Sequence, residues 1–182
     1  MKNNRIILDE AQLELAIQRL CYQLIENHND FSNSVIIGLQ PRGVILAKRI
    51  HSELLKITPN SSIPLGSLDT TFFRDDFRRR ESPIIANKTQ IDFIIENKKV
   101  ILIDDVLYTG RTIRAGLDAM LAYGRPDLVE LLVLVDRRYG RHLPIEPNYI
   151  GTTIDSVASE RVEAKWLETD GIDEIILKEN KK

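Results

Sequence analysis

The chain has 182 residues, of which 43% are hydrophobic and 29% charged, with a formal net charge of −2 and a pI of about 6.0. That length suits a single domain with a substantial core, no apolar run reaches the length of a membrane span, and the charge balance gives no overall basic surface to hold nucleic acid. One cysteine, three histidines without metal-ligand spacing, and the lack of a G-x-G-x-x-G or Walker A loop exclude an internal disulfide, zinc enzymes, nicotinamide enzymes and P-loop ATPases.

In chain order, Ile6 to Leu8 are the only apolar residues before Asp9, far short of a signal-peptide core, so a cytoplasmic location without membrane association is expected. Asp9, with Gln12 three residues on, is an N-cap for a helix predicted to reach about His28. Leu13, Ala16, Ile17, Leu20 and Leu24 line one face of it, together with Cys21, a small buried hydrophobe. The polar face carries Glu10, Glu14, Arg19 and Glu26. Ser34 to Leu39 reads as the first core strand. Gln40-Pro41-Arg42-Gly43 is the turn into a second helix, with Leu46, Ala47, Ile50 and Leu54 inward. Such a turn, at the C-terminal edge of a parallel sheet, is where ligands bind in open α/β folds. Gly43 permits close backbone approach, and Arg42 offers a planar fork of donors to phosphate oxygens.

Leu65 to Phe73 is predicted as a strand rich in Thr and Phe. The densest charge cluster of the chain follows it, from Arg74 to Pro83. A charged loop leaving the sheet beside a polyanion site suits a lid that neutralises the ligand and excludes water. Ile84-Ile85 and Ile91 to Ile95 read as two arms of a hairpin around Asn87-Lys88.

The most informative stretch is Val100 to Thr112. Four apolar residues, Val100 to Ile103, predict a central parallel strand ending at the pair Asp104 and Asp105. After two apolar residues come Tyr108 and the turn Thr109-Gly110-Arg111-Thr112. Ile113, Leu117, Met120 and Leu121 then recur at helical spacing. A helix N-terminus preceded by Gly and Thr offers amides, hydroxyls and a favourable dipole to a phosphate monoester. Two ionised carboxylates just upstream accept hydrogen bonds from vicinal ribose hydroxyls, or hold a divalent cation that carries them. Acids, then sugar hydroxyls, then phosphate describe a reader of ribose 5-phosphate.

Gly124 and Pro126 stop the helix, and Val129 to Val135 forms the next buried strand, with Asp136-Arg137-Arg138 at the same sheet edge. From Arg138 to Trp166 the chain carries Pro144, Pro147 and Gly151 and then a period-two run, Val162, Ala164 and Trp166, which predicts a strand. Glu174 to Leu177 closes the fold. The expected class is α/β, with a mainly parallel twisted sheet of about five strands and helices on both faces.

The run from Asp104 to Thr112, with Thr71-Phe72-Phe73-Arg74-Asp75-Asp76 upstream and Val135-Asp136-Arg137 downstream, resembles the pyrimidine operon attenuation regulators. Members of that family double as uracil phosphoribosyltransferases, within the type I phosphoribosyltransferases. The resemblance runs from about Ile7 to the region of Trp166. It implies the type I phosphoribosyltransferase fold as one domain over residues 1–182, with a small hood at about residues 138–166. It implies that Asp104, Asp105, Val106, Leu107, Tyr108, Thr109, Gly110, Arg111 and Thr112 bind 5-phosphoribosyl 1-diphosphate, and that Pro41, Arg42 and Gly43 hold its pyrophosphate. By the same resemblance Arg74, Asp75, Asp76 and Arg78 belong to the lid, and Arg138 and Val162 lie by the nucleotide base.

Mg²⁺ is the implied cofactor, reached by Asp104 and Asp105 directly or through ribose hydroxyls or water. The implied reaction converts uracil and 5-phosphoribosyl 1-diphosphate to UMP and pyrophosphate. The implied partners are those ligands, pyrimidine-leader mRNA, and further copies of the chain in a homodimer or higher oligomer. A phosphoribosyltransferase for another nucleobase, with no RNA role, is the alternative, because the ribose-phosphate motif is shared and only the hood sets the base. RNA binding by a chain of net charge −2 requires a local basic patch, for which Arg19, Arg137, Arg138 and Arg141 are the candidates.

Overall fold

The structure is a computed structural model that describes residues 4–58, 62–74 and 86–179. Two sheets organise it. The larger has five strands in the order β3-β2-β4-β5-β6: β2 is Ser34–Leu39, β3 Leu65–Leu68, β4 Lys99–Leu107, β5 Leu128–Arg137 and β6 Tyr149–Ile154. Every pairing in it is parallel. The smaller sheet is antiparallel, in the order β1-β8-β7, from β1 Arg5–Leu8, β7 Glu160–Lys165 and β8 Glu174–Glu179.

Helix α1, Glu10–His28, starts at the expected Asp9 cap, where the Gln12 N–H donates to Asp9 Oδ1 at 2.9 Å and the Asp9 N–H to Gln12 Oε1 at 3.1 Å. With α2, Gly43–Ile57, it covers one face of the parallel sheet. Leu13, Leu20, Leu46 and Ile50 meet Ile36, Ile101, Ile103 and Leu132 there. Helix α3, Arg111–Met120, covers the other face, where Ile113, Ala119 and Met120 pack on Val35, Ile37, Val100, Leu102 and Val133. Burying each such Leu or Ile side chain contributes roughly 1.5–3 kcal/mol. The odd-even alternation along β4 thus serves both layers, and a sheet sandwiched this way needs strands that are apolar on both faces.

Several elements differ from the sequence reading. β4 does not end at the Asp104–Asp105 pair but continues to Leu107, because the ladder to β5 persists as far as Leu107 against Asp136. β3 stops at Leu68 rather than Phe73. There the Thr71 hydroxyl donates to Asp69 Oδ1 at 2.7 Å, the Asp69 N–H donates to Thr89 Oγ1, and Thr71–Phe73 turns into a single 3₁₀ turn. Residues 91–95 form no strand, and pairing here is limited to an isolated bridge between Ser67 and Gln90; Ile84 and Ile85 lie outside the described residues. Leu121 is exposed instead of facing inward, since α3 ends at Met120 and a 3₁₀ turn, Leu121–Tyr123, rotates it out. The stretch from 138 to 166 divides between the sheets, with β6 on the parallel one and β7 on the antiparallel one. A short helix α4, Leu167–Asp170, links β7 to β8.

Candidate active site

Because all five strands of the main sheet are parallel, their C-terminal ends share one edge. That edge carries the 40–42 turn after β2, the 69–74 segment after β3, the 108–110 turn after β4, and the 138–146 loop after β5. The crevice outside such an edge is the usual ligand position of open α/β sheets.

Asp104 is buried and Asp105 half-buried. The Asp105 N–H donates to Asp104 Oδ1 at 3.0 Å, and the Val106 N–H to Asp105 Oδ1 at 2.8 Å. The side-chain alternation of β4 is interrupted here, since Val106 packs against the same cluster as Ile101 and Ile103. Burial, reinforced by the Asp105 charge, holds the Asp104 carboxyl well above the usual carboxylate range, and Arg74 acts in the opposite sense. Burial raises Asp105 as well, opposed by the bond from the Val106 N–H and by the nearby Arg42. Two acids buried side by side are costly in a free protein and become favourable when a ligand supplies hydroxyl donors or cationic charge.

The turn that follows is shaped for an anion. Gly110 adopts φ 87° as the N-cap of α3, a left-handed conformation suited to glycine, and no side chain caps the helix. The Arg114 N–H closes the first helical bond on Gly110 O, which leaves the earlier amides of the turn outside the helical ladder, with the Arg111 N–H donating to Thr109 Oγ1 at 3.4 Å. Arg74 Nη1 lies 3.4 Å from Thr112 Oγ1, which brings Arg74 to this turn. Asp75, Asp76 and Arg78 lie outside the described residues.

Pro41, Arg42 and Gly43 adjoin the acidic pair, with a cis peptide between Gln40 and Pro41. Gly43 owes its identity to packing. A Cβ there would lie 2.5 Å from Ile103 O and 2.9 Å from Asp104 Cα, so the close backbone approach is to β4 rather than to a ligand. Arg42 Nη1 donates to Ala164 O and lies 3.4 Å from Asp170 Oδ2, which ties the turn to β7 and α4.

The Val162 side chain is committed to the core, whereas Arg138 lines a surface cavity with Asp136, Arg141 and Ile145. Val162 is buried in the core on β7, and Arg138 is an exposed surface residue paired with Asp155 at 2.7 and 2.8 Å. Arg137, expected in a surface patch, is buried. Of the other patch candidates, Arg19 donates to Ile150 O and Gly151 O, and Arg141 donates to Tyr108 O and pairs with Asp136. Sequence reasoning missed Arg141, Asp136 and Arg137 as neighbours of the phosphate turn. The signal was the Asp-Arg pair at the end of a strand already assigned to the correct edge.

Among the described residues no three His, Cys, Asp or Glu side chains converge as a metal site. The oxygen-only pair Asp104 and Asp105 nonetheless fits a Mg²⁺ ion that arrives with a phosphorylated ligand. That ion takes one or two carboxylates and completes its shell with ligand oxygens and water.

Residues 3–169 match the phosphoribosyl transferase domain family. The protein named Bifunctional protein PyrR of Acetivibrio thermocellus is 46% identical over 91% of this chain and 89% of its own length. Its namesake from Halalkalibacterium halodurans is 40% identical over 97% of this chain and 98% of its own. Among solved structures, the hypoxanthine phosphoribosyltransferase of Trypanosoma cruzi superposes with a TM-score of 0.71 at 15% identity, covering 97% of both chains. One from Staphylococcus aureus gives 0.70 at 19% identity, covering 94% of this chain and 90% of its own. At such identities the structures speak for the fold alone.

Proposed function

The chain belongs to the phosphoribosyl transferase domain family, among the proteins named Bifunctional protein PyrR, and from that premise we propose that it is a cytoplasmic uracil phosphoribosyltransferase and a UMP-responsive attenuator of pyrimidine gene transcription. The observation that carries the enzymatic half is the pair of buried Asp104 and half-buried Asp105 directly ahead of the N-terminus of α3, on one strand and one sheet edge.

In the reaction, uracil N1 gives up its proton and bonds to C1′ of 5-phosphoribosyl 1-diphosphate as the C1′–oxygen bond breaks, and pyrophosphate leaves with that bond's electron pair, free to take up the proton. The sugar ring is cationic in between. The amides and hydroxyls of the Tyr108–Thr112 turn bind the 5′-phosphate, and Asp104 and Asp105 accept from the ribose hydroxyls while their charge favours the cationic ring. Arg42 and Arg74, whose charges act on Asp105 and Asp104 respectively, hold the departing pyrophosphate. A bound Mg²⁺, held through Asp104 and Asp105 and the ligand's oxygens, would neutralise charge on the leaving group. The base lies against the backbone of β7, whose side chains Val162 and Ala164 are committed to the core.

The regulatory half rests on the relatives' shared designation as bifunctional. An assay of uracil, cytosine, hypoxanthine and guanine with 5-phosphoribosyl 1-diphosphate and Mg²⁺ tests the enzymatic half. UMP as the principal product is expected, and preference for a purine would replace this reading with the alternative base.

A further inference from the structure

Arg137 is 4% exposed, and among the described residues no carboxylate lies within ion-pair distance of it. Burying a guanidinium without a counter-ion is expensive, and burial depresses its hold on the proton. Its contacts show what that cost secures. Nε donates to Ser156 Oγ at 2.7 Å, and Nη2 donates to Glu160 O at 2.9 Å and Val157 O at 3.3 Å. The guanidinium carbon lies 3.8 Å from the centre of the Tyr108 ring. Every one of these contacts falls either on the phosphate turn or on the segment 156–160 that leads into β7.

Residues 156–159 lie outside both ladders, between the end of β6 at Ile154 and Glu160, which pairs with Glu179 on β8. The Glu160 N–H donates to Val157 O and the Val157 N–H to Glu160 Oε2, which closes the turn on itself. The neighbouring Arg138–Asp155 pair is exposed, where ion pairs are worth little. Tyr108, by contrast, is anchored independently, since Arg141 Nη1 donates to its carbonyl at 2.6 Å. β7 lies against the C-terminal end of β4, so the placement of 156–160 sets how far the base wall stands from the phosphate turn. In a nucleotide the base and the 5′-phosphate are joined at nearly fixed separation, and both bind only if those two surfaces are spaced to match.

We infer that Arg137 is a positioning residue for nucleobase recognition: it locks the 156–160 segment, and through it β7, to Tyr108, so that base and phosphate are gripped together. This rests on the nucleotide-site reading above. Lysine cannot replace it, because an ammonium has neither the planar face for Tyr108 nor the fork that spans Ser156 and Glu160.

The test compares dissociation constants for UMP and for ribose 5-phosphate in the wild-type chain, Arg137→Lys and Ser156→Ala. Arg137→Lys is expected to weaken UMP by about tenfold and ribose 5-phosphate by less than about twofold, the size of losing charged hydrogen bonds on the base side only. Ser156→Ala should weaken UMP by about threefold in the same pattern, and adding it to Arg137→Lys should cost nothing further, since the two share one contact. Equal losses for both ligands, or no loss for either, overturn the proposal. If Arg137→Lys fails to fold, Ser156→Ala decides alone by the same criterion. A wild-type chain that binds UMP no better than ribose 5-phosphate overturns the base site itself, a failure visible before any substitution is made.

Discussion

At the scale of residues, the acidic pair combines a structural cost with a functional use. Asp104→Asn and Asp105→Asn keep the shape and remove charge, so each is expected to lower turnover by about a hundredfold or more, since one carboxylate oxygen becomes an amide donor and a stabilising charge is lost where the cationic ring is proposed to form. Stability should move the other way. Because burial raises the Asp104 pKa, the folded chain binds more protons than the unfolded one above the ordinary value of 3.8, and wild-type stability falls as pH rises from there through the folded-state value. Urea midpoints at two pH values check this. The advantage of Asp104→Asn over wild type should be larger at the higher pH, and a constant difference would mean that burial does not raise the carboxyl pKa.

The pair and the Thr109–Thr112 turn were legible in the sequence because small and acidic residues between two apolar periods have few structural uses. Their burial was not, since a doublet of aspartates reads as a strand end facing solvent. Arg137 was misread for the same reason, composition being silent on which arginines the fold encloses.

At the scale of elements, Gly43 joins α2 to the acidic strand. Gly43→Ala drives a methyl into the backbone at Ile103 and Asp104, so the strand or the helix must shift, at an expected cost of about 1–3 kcal/mol. Thermal melts and turnover measured together should both fall, and unchanged melting would place the close approach elsewhere. The α1–α2 seam offers a second check. Burial, with Glu53 next in effect, pushes the Cys21 thiol up to about 12, and its Sγ sits 3.7 Å from Ile50 O. A thiol reagent near neutral pH should therefore label Cys21 only in unfolding conditions; rapid labelling of the native chain would show that the seam opens.

Helices and buried strands with clear periods, such as α1 and β2, were found with nearly correct ends. β1 was not foreseen, because Arg5–Leu8 becomes a strand only by pairing with Ile175–Leu177 near the other end of the chain, and no local pattern encodes that. β3 was overextended because Asp69 and Thr71 prefer each other to a ladder.

At the scale of the whole molecule, the fold gathers the proposed ribose-phosphate residues on one sheet edge, and the proposed RNA binding is assigned to a different surface. On the proposed reading, with net charge −2 and Arg137 enclosed, positive charge for RNA is gathered locally, from residues such as Arg19. Titration of pyrimidine-leader RNA at fixed salt is expected to show tighter binding with UMP than without, because a nucleotide that shifts RNA affinity must bind two states of the protein unequally. Binding no tighter than to unrelated RNA, and indifferent to UMP, would leave the chain as an enzyme alone.

The central claim is that one sheet edge reads a nucleotide in three parts, and a crystal structure with bound UMP tests it most directly. The predicted result has the 5′-phosphate on the amides of the Tyr108–Thr112 turn, the ribose hydroxyls on Asp104 and Asp105, and the base against β7. UMP bound elsewhere, or with its ribose away from both carboxylates, would contradict it.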